Sequence, residues 1–310
     1  GYCGKLPELG TDVFAMDAPN SNTTGPIMES PFPVDFGLLK VPTSLGTWYA
    51  SARLIQGEFL ETDSNAAGSS YGNFPFDYQN GWVSHSSYNV YQSWMFKRHA
   101  GFDVVCYEGD GVAGRQIAHN MNKTVEMLWL KNRSSSSHNW MCYHKGLNGG
   151  TNPEDYRLRL NTSDAEGSSS TYLNSTAPTS THITLGSINA INADGNDYIG
   201  MLFSSISGIS KLGHYSGSSS DFSIDLGFTP RLWISKRANG SGGWIVFDTL
   251  RGMSSSVDDP YMYLNSTAAS NAYSSNSIDI SGNTITLKAG VNNDTLSSSS
   301  SDKFIYYAHA

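Results

Sequence analysis

Glu126-Met127-Leu128-Trp129-Leu130-Lys131-Asn132-Arg133 reads as a strand buried along most of its length. Its apolar residues run together between charges, with no Gly or Pro inside. The stretch returns as Pro230-Arg231-Leu232-Trp233-Ile234-Ser235-Lys236-Arg237. Matching Trp129 with Trp233 spaces the copies about 100 residues apart, the length of one small β-domain and longer than a typical solenoid repeat. Alternation puts Leu128 with Leu130 on one face, and likewise Leu232 with Ile234, leaving the tryptophans on the other. With both faces apolar, each strand is expected at the centre of a sheet. Packing is the expected role of the repeated tryptophans. A sugar-stacking platform would suit a tryptophan on an exposed loop.

Outward from these strands the match continues. Tyr107-Glu108-Gly109 corresponds to Tyr215-Ser216-Gly217, Trp140 to Trp244, Leu160-Asn161-Thr162 to Leu264-Asn265-Ser266, and Tyr198–Met201 to Phe304–Tyr307. Strand patterns fall at 101–107, 116–119, 139–145, 156–161, 181–185 and 197–203, with turn residues at each junction. That is the profile of a β-sandwich. Residues 1–100 read as a degenerate first copy behind an irregular, proline-rich arm. Trp48 stands for Trp140, Leu60-Glu61-Thr62 for Leu160-Asn161-Thr162, and Tyr91–Phe96 for Tyr198–Phe203. The expected fold is therefore all-β, with tandem β-sandwich (jelly-roll or lectin-like) domains from about 100-residue repeats: 1–100, 101–207 and 208–310.

Composition narrows the classes of function. Of 310 residues, 15% are charged and 12% aromatic, and the net charge is −8 without any Lys/Arg block. Nucleic acid is thus not an expected partner, since phosphate binding needs clustered cations. No apolar run has the roughly 20 residues of a membrane-spanning helix, so no membrane insertion is expected. The start Gly1-Tyr2-Cys3-Gly4-Lys5 lacks Met and does not read as a signal peptide, as in a processed chain or a piece of a longer one. Cys3, Cys106 and Cys142 form neither a disulfide framework nor a zinc pattern, and Cys106 and Cys142 read as small core residues.

Several motifs together resemble a known family. They are Gly101-Phe102-x-x-Val105-x-Tyr107-x-Gly109-x-Gly111, Trp140-x-x-Tyr143-His144-Lys145-Gly146-Leu147, Gly227-Phe228-Thr229-Pro230 leading into the Trp233 strand, Trp244–Gly252, and the terminal Tyr-Tyr-Ala-His-Ala. This combination resembles repeat domains in structural proteins of tailed phages of marine bacteria, including cyanophages, usually described as tail fibres. The resemblance covers residues 88–310 and is loose before them. It implies a virion protein whose partners are other virion proteins, with homo-oligomers, trimers among them, and a host-surface polysaccharide as a further partner. It supplies no catalytic residues.

The search for chemistry points the same way. Glu58, Glu61 and Asp63 are candidate glycosidase carboxylates, but Glu58 and Glu61 lie three apart and so face opposite sides of a strand. Glu108 and Asp110 sit in a Gly-rich turn. Trp140, Cys142 and His144 share a face, yet the third copy has Val246 and Asp248 where Cys142 and His144 stand. Asp194-Gly195-Asn196-Asp197 offers oxygens for Ca²⁺ but lacks the length and bidentate Glu of an EF-hand loop, so a plain turn is expected. Sequons at Asn122, Asn161, Asn174 and Asn265 are expected by chance in so Asn- and Ser-rich a chain. The expectation is no catalytic, metal or cofactor-binding residue and no cofactor. The chain then reads as a tail fibre or other appendage used for attachment. A capsid decoration protein and a secreted lectin or glycan-degrading enzyme are the alternatives.

Overall fold

The computed structural model describes residues 4–253, 259–272, 277–289, 296–297 and 299–310, so Cys3 lies outside the described residues. The chain is all-β, and three six-stranded antiparallel sheets dominate it. The first holds Phe14–Asp17, Phe36–Lys40, Tyr49–Ala52, Glu58–Glu61, Ser69–Ser70 and Gln92–Phe96. The second holds Phe102–Glu108, Met127–Asn132, Met141–His144, Tyr156–Arg159, Gly167–Ser168 and Asp197–Phe203. The third holds Ser210–Ser216, Leu232–Arg237, Ile245–Asp248, Pro260–Tyr263, Asn271–Ala272 and Lys303–His309. Numbered along the chain within each sheet, the spatial order is one-six-two-three-four-five in all three. Each sheet is covered outside by a smaller one, Met28–Glu29 with Gly81–Trp82, Arg115–Ala118 with His182–Leu185, and Phe222–Asp225 with Thr284–Leu287 and Ile278–Ser281. Each repeat is thus a sandwich-like unit with its own outer core.

The inner faces of the three sheets meet in one shared core. Phe36, Leu38, Trp48 and Trp94 from the first repeat, Met127, Trp129, Trp140 and Phe203 from the second, and Leu232, Ile234, Trp244 and Tyr307 from the third all belong to it. Burial on both faces explains why the central strands read as continuous apolar runs. Three indole N–H groups, one from each repeat, close a ring around this core. Trp48 Nε1 donates to the Tyr263 carbonyl at 2.9 Å, Trp244 Nε1 to Arg159 at 2.9 Å, and Trp140 Nε1 to Glu61 at 2.8 Å. Every repeat therefore grips strand four of a different neighbour, and a buried donor that would be costly to leave unpaired is satisfied each time.

The copies align differently from the tryptophan match. Trp129 pairs with Cys142 and faces the shared core, whereas Trp233 pairs with Phe247 and faces the outer core of its own repeat. The residue equivalent to Trp129 is Ile234, one step on, and Lys131 then aligns with Lys236 and Lys40. All three lysines are fully buried. Lys131 and Lys236 each donate to the carbonyl of the next residue, and Lys40 donates to the Gly46 and Thr267 carbonyls. Burial lowers Lys40 and Lys131 to about 8 and Lys236 to about 7. A second correction concerns strand four of the first repeat, where Thr62, and not Leu60, is the equivalent of Leu160.

That correction explains a recurring motif. Asp63, Asn161 and Asn265 occupy one position, and each accepts the backbone N–H of its repeat's tryptophan, at 2.8, 3.0 and 2.8 Å. The following Ser64, Thr162 and Ser266 hydroxyls accept the N–H two residues on. Two of the sequons are thus structural turns. The other two put Asn122 and Asn174 at φ of 55° and 54°, a left-handed region where Asn is favoured. Asn161→Ala is expected to lower stability by about 1–2 kcal/mol, since it orphans the buried Trp140 N–H. A denaturant midpoint equal to the parent's would contradict this.

Candidate functional site

Of the carboxylates singled out from the sequence, Glu58, Asp63 and Asp110 are engaged in holding the fold. Glu58 receives both Nε and Nη2 of Arg133, at 3.1 and 2.6 Å, in a forked pair that joins the first repeat to the second. Glu61 lies on the opposite side of the same strand, where burial raises its carboxyl above the usual range. Asp63 is bonded to Trp48 as described. Asp110 Oδ1 accepts Val112 N and Asn192 Nδ2 at 2.9 and 3.1 Å, while the Glu108 carbonyl accepts from Arg115.

His144 is fully buried. Its Nδ1 accepts Gly146 N–H at 2.9 Å and its Nε2 faces the Tyr306 carbonyl at 3.1 Å, across the seam to the third repeat. Burial pulls it down to about 3. Cys142 packs in the shared core beside Trp129. Cys106 does not. Alternation puts it on the inner face with Phe102 and Val104, but it lies past the end of the shared core and is exposed. Around Asp194–Asp197, Gly195 has φ of 71° and its N–H bonds the Gly109 carbonyl, as a plain turn does. Among the described residues, no group of three or more His, Cys, Asp or Glu is placed to hold a metal ion. No described helix is long and apolar enough to cross a membrane.

The hollows on the described surface include three of note. One of about 570 Å³ lies between the N-terminal arm, Pro31–Pro33 and Lys97–His99. The other two adjoin each other on the second repeat and share Ser169 and Thr171, with volumes of about 580 and 470 Å³. The larger is floored by strand four, Tyr156–Arg159. Leu158 and Leu160 of this segment point to the shared core, so alternation turns Arg157 and Arg159 outward into the hollow. Ser137, His138, Asn139 and Asn189 line its walls. Arg159 Nη1 is paired with Asp164 at 2.9 Å. Arg157 is half-buried and has no hydrogen-bonded or ion-paired acceptor among the described residues.

This floor breaks the symmetry of the three repeats. Strand pairing makes Arg157 and Arg159 equivalent to Phe59 and Glu61 in the first repeat and to Tyr261 and Tyr263 in the third. Phe59 is packed under Tyr49 and Phe74, with ring centroids at 5.0 and 5.5 Å. Tyr261 lies against Phe247 and Tyr263, at 6.1 and 5.3 Å. Aromatic packing thus covers the outer face of strand four in two repeats, and two arginines leave it open in the other. The signal in the sequence is Tyr156-Arg157-Leu158-Arg159-Leu160, an alternation whose polar face is cationic. Sequence reasoning passed over it in the search for carboxylates.

Comparison with known proteins bears on residues 51–310, which match the model of a family described as a domain of unknown function, DUF7483. The chain belongs to this family. No curated protein matches it. The DUF7483 match begins inside the third strand of the first sheet, so that sheet's first two strands, Phe14–Asp17 and Phe36–Lys40, precede it.

Proposed function

We propose that this DUF7483 chain is a structural protein of a phage particle, a tail-fibre-like or other appendage component that contributes to attachment to a host-surface glycan. The observation that carries the reading is the arginine-floored hollow on the second repeat. Elsewhere buried charges and amides are taken up in hydrogen bonds within and between the repeats, while here hydroxyl, amide and guanidinium groups face open solvent on a rigid sheet. Binding sites built on such scaffolds need few moving parts. The low charge and the Ser- and Asn-rich loops suit a particle surface, and the motif resemblance supplies the phage context. The reading is of binding without catalysis, because Glu58, Asp63 and Asp110 are held in structural pairs and turns, and Glu58 and Glu61 face opposite sides of their strand.

The test is to locate the chain by antibody labelling and electron microscopy of intact particles. Label on a projecting or tail-associated appendage is the expected result. Label lying across capsid subunits would replace attachment with capsid decoration, and its absence from particles would overturn the reading in favour of a secreted lectin.

A further inference from the structure

We infer that the hollow on the second repeat is an anion subsite for an acidic glycan, with Arg157 receiving the carboxylate of a uronic acid or the sulfate of a sulfated sugar. The inference rests on the attachment reading for its glycan class, and on geometry for its charge. Arg157 is partly withdrawn from water, has no acceptor among the described residues, and stands on the floor of a hollow of about 580 Å³. A guanidinium so placed has lost part of its hydration without gaining a partner. An oxyanion offering two oxygens to its planar fork restores what was lost. Arg159 stands two residues along the same face, and its pairing with the exposed Asp164 leaves it able to swing toward a second oxygen.

The walls suit a sugar ring. Ser169, Thr171, Asn139 and Asn189 offer neutral donors and acceptors for hydroxyl groups, and the apolar edges of Ile188 and Ala190 lie beside them. The hollow lies within the size range of small-ligand sites. The net charge of −8 would repel a polyanion from the molecule as a whole, so any binding of one must come from a local cationic site. Among the described residues, the first and third repeats offer no arginine here, having Phe59 with Glu61 and Tyr261 with Tyr263 at the equivalent positions. One site per chain is therefore expected.

Titration calorimetry on the full chain with three probes tests this: alginate oligosaccharides for carboxylate, sulfated dextran oligosaccharides for sulfate, and neutral dextran oligosaccharides. The parent should bind at least one of the acidic probes near one equivalent per chain, and bind it at least tenfold more tightly than dextran. Which acidic probe binds better identifies the natural oxyanion. Arg157→Gln should weaken that binding tenfold or more, and Arg157→Lys by less. Arg115→Gln, a cation on the same repeat outside the hollow, should bind as the parent does. Matching thermal midpoints would show that each variant is folded. Equal affinity of Arg157→Gln and parent, or dextran binding as tight as alginate and sulfated dextran, would overturn the site. Acidic-glycan binding that Arg157→Gln abolishes, in a chain absent from particles, would overturn the attachment reading and leave the site standing.

Discussion

The protein is expected to unfold in mild acid, losing most of its stability between about pH 6.5 and 4.5. Four histidines are buried; burial lowers His119 and, further, takes His99 to about 3, His144 to about 3 and His309 to about 4, so that these last three stay neutral in the fold at pH 5. In the unfolded chain each returns to about 6.5. Between those values the unfolded state binds more protons, so stability falls as the pH drops through 6.5. At pH 5 each of these three contributes a loss of about 2 kcal/mol, about 6 kcal/mol together, against a total of roughly 5–15 kcal/mol for a folded domain. Raised carboxyls at Asp17, Glu61, Asp63 and Glu166 act in the opposite sense, because the folded state holds their protons more tightly. They reduce the slope.

The histidines also sit where the repeats meet. His99 closes the link from the first repeat to the second, His144 reaches the third, and His309 packs on Phe14 and Phe96 of the first. Charging any of them loosens a seam. His144→Gln, which can still donate to the Tyr306 carbonyl, should lose about a third less of its thermal midpoint between pH 7 and 5 than the parent. Identical pH profiles for the two proteins would contradict this.

Asp248→Ala is expected to cost about 3–5 kcal/mol, the most damaging single change at a polar position. The Asp248 carboxylate is fully buried and joins the third repeat to the first. Its Oδ2 accepts Gln92 Nε2 at 3.1 Å and Trp94 Nε1 at 3.2 Å, and its other partner is Arg251, at 2.7 Å. Removing it leaves the Arg251 guanidinium, whose side chain is only 7% exposed, without its counter-charge, and unpairs Gln92 Nε2, Trp94 Nε1 and the Arg251 backbone N–H. Urea midpoints measure the loss. The double variant Asp248→Leu with Arg251→Met should recover much of it, because the larger penalty is the unpaired charge and not the absent attraction. A single variant within about 0.5 kcal/mol of the parent would show that this seam is held by packing alone.

Much of this architecture was legible in the sequence. The strands at Tyr156–Arg159, His182–Leu185 and Asp197–Phe203 fall where alternation and turn residues put them. The opposite faces of Leu128 and Trp129 follow from the period of two. What alternation does not supply is which face is inner when both are apolar, and so the tryptophans were paired although they point to different cores. The buried lysines carry the true register, because a charge on a doubly buried strand needs specific carbonyl partners and fixes its position. Phe14–Asp17 was hidden in a proline-rich arm, since its partner Gln92–Phe96 lies at the far end of the repeat. The shared core was hidden for the same reason: Trp48 finds its acceptor in the third repeat. The arginine floor becomes visible only when Arg157, Phe59 and Tyr261 are superposed through strand pairing.

The shared core makes the three repeats one closed unit, and calorimetric unfolding of the intact chain tests that most directly. Each repeat alone would expose an inner face rich in Trp, Phe and Leu, so none should persist when another is lost. A single transition with equal calorimetric and van't Hoff enthalpies is the expected result. Two or three resolved transitions, each with the enthalpy of about 100 residues, would mean that the repeats are independent domains and would contradict a common core.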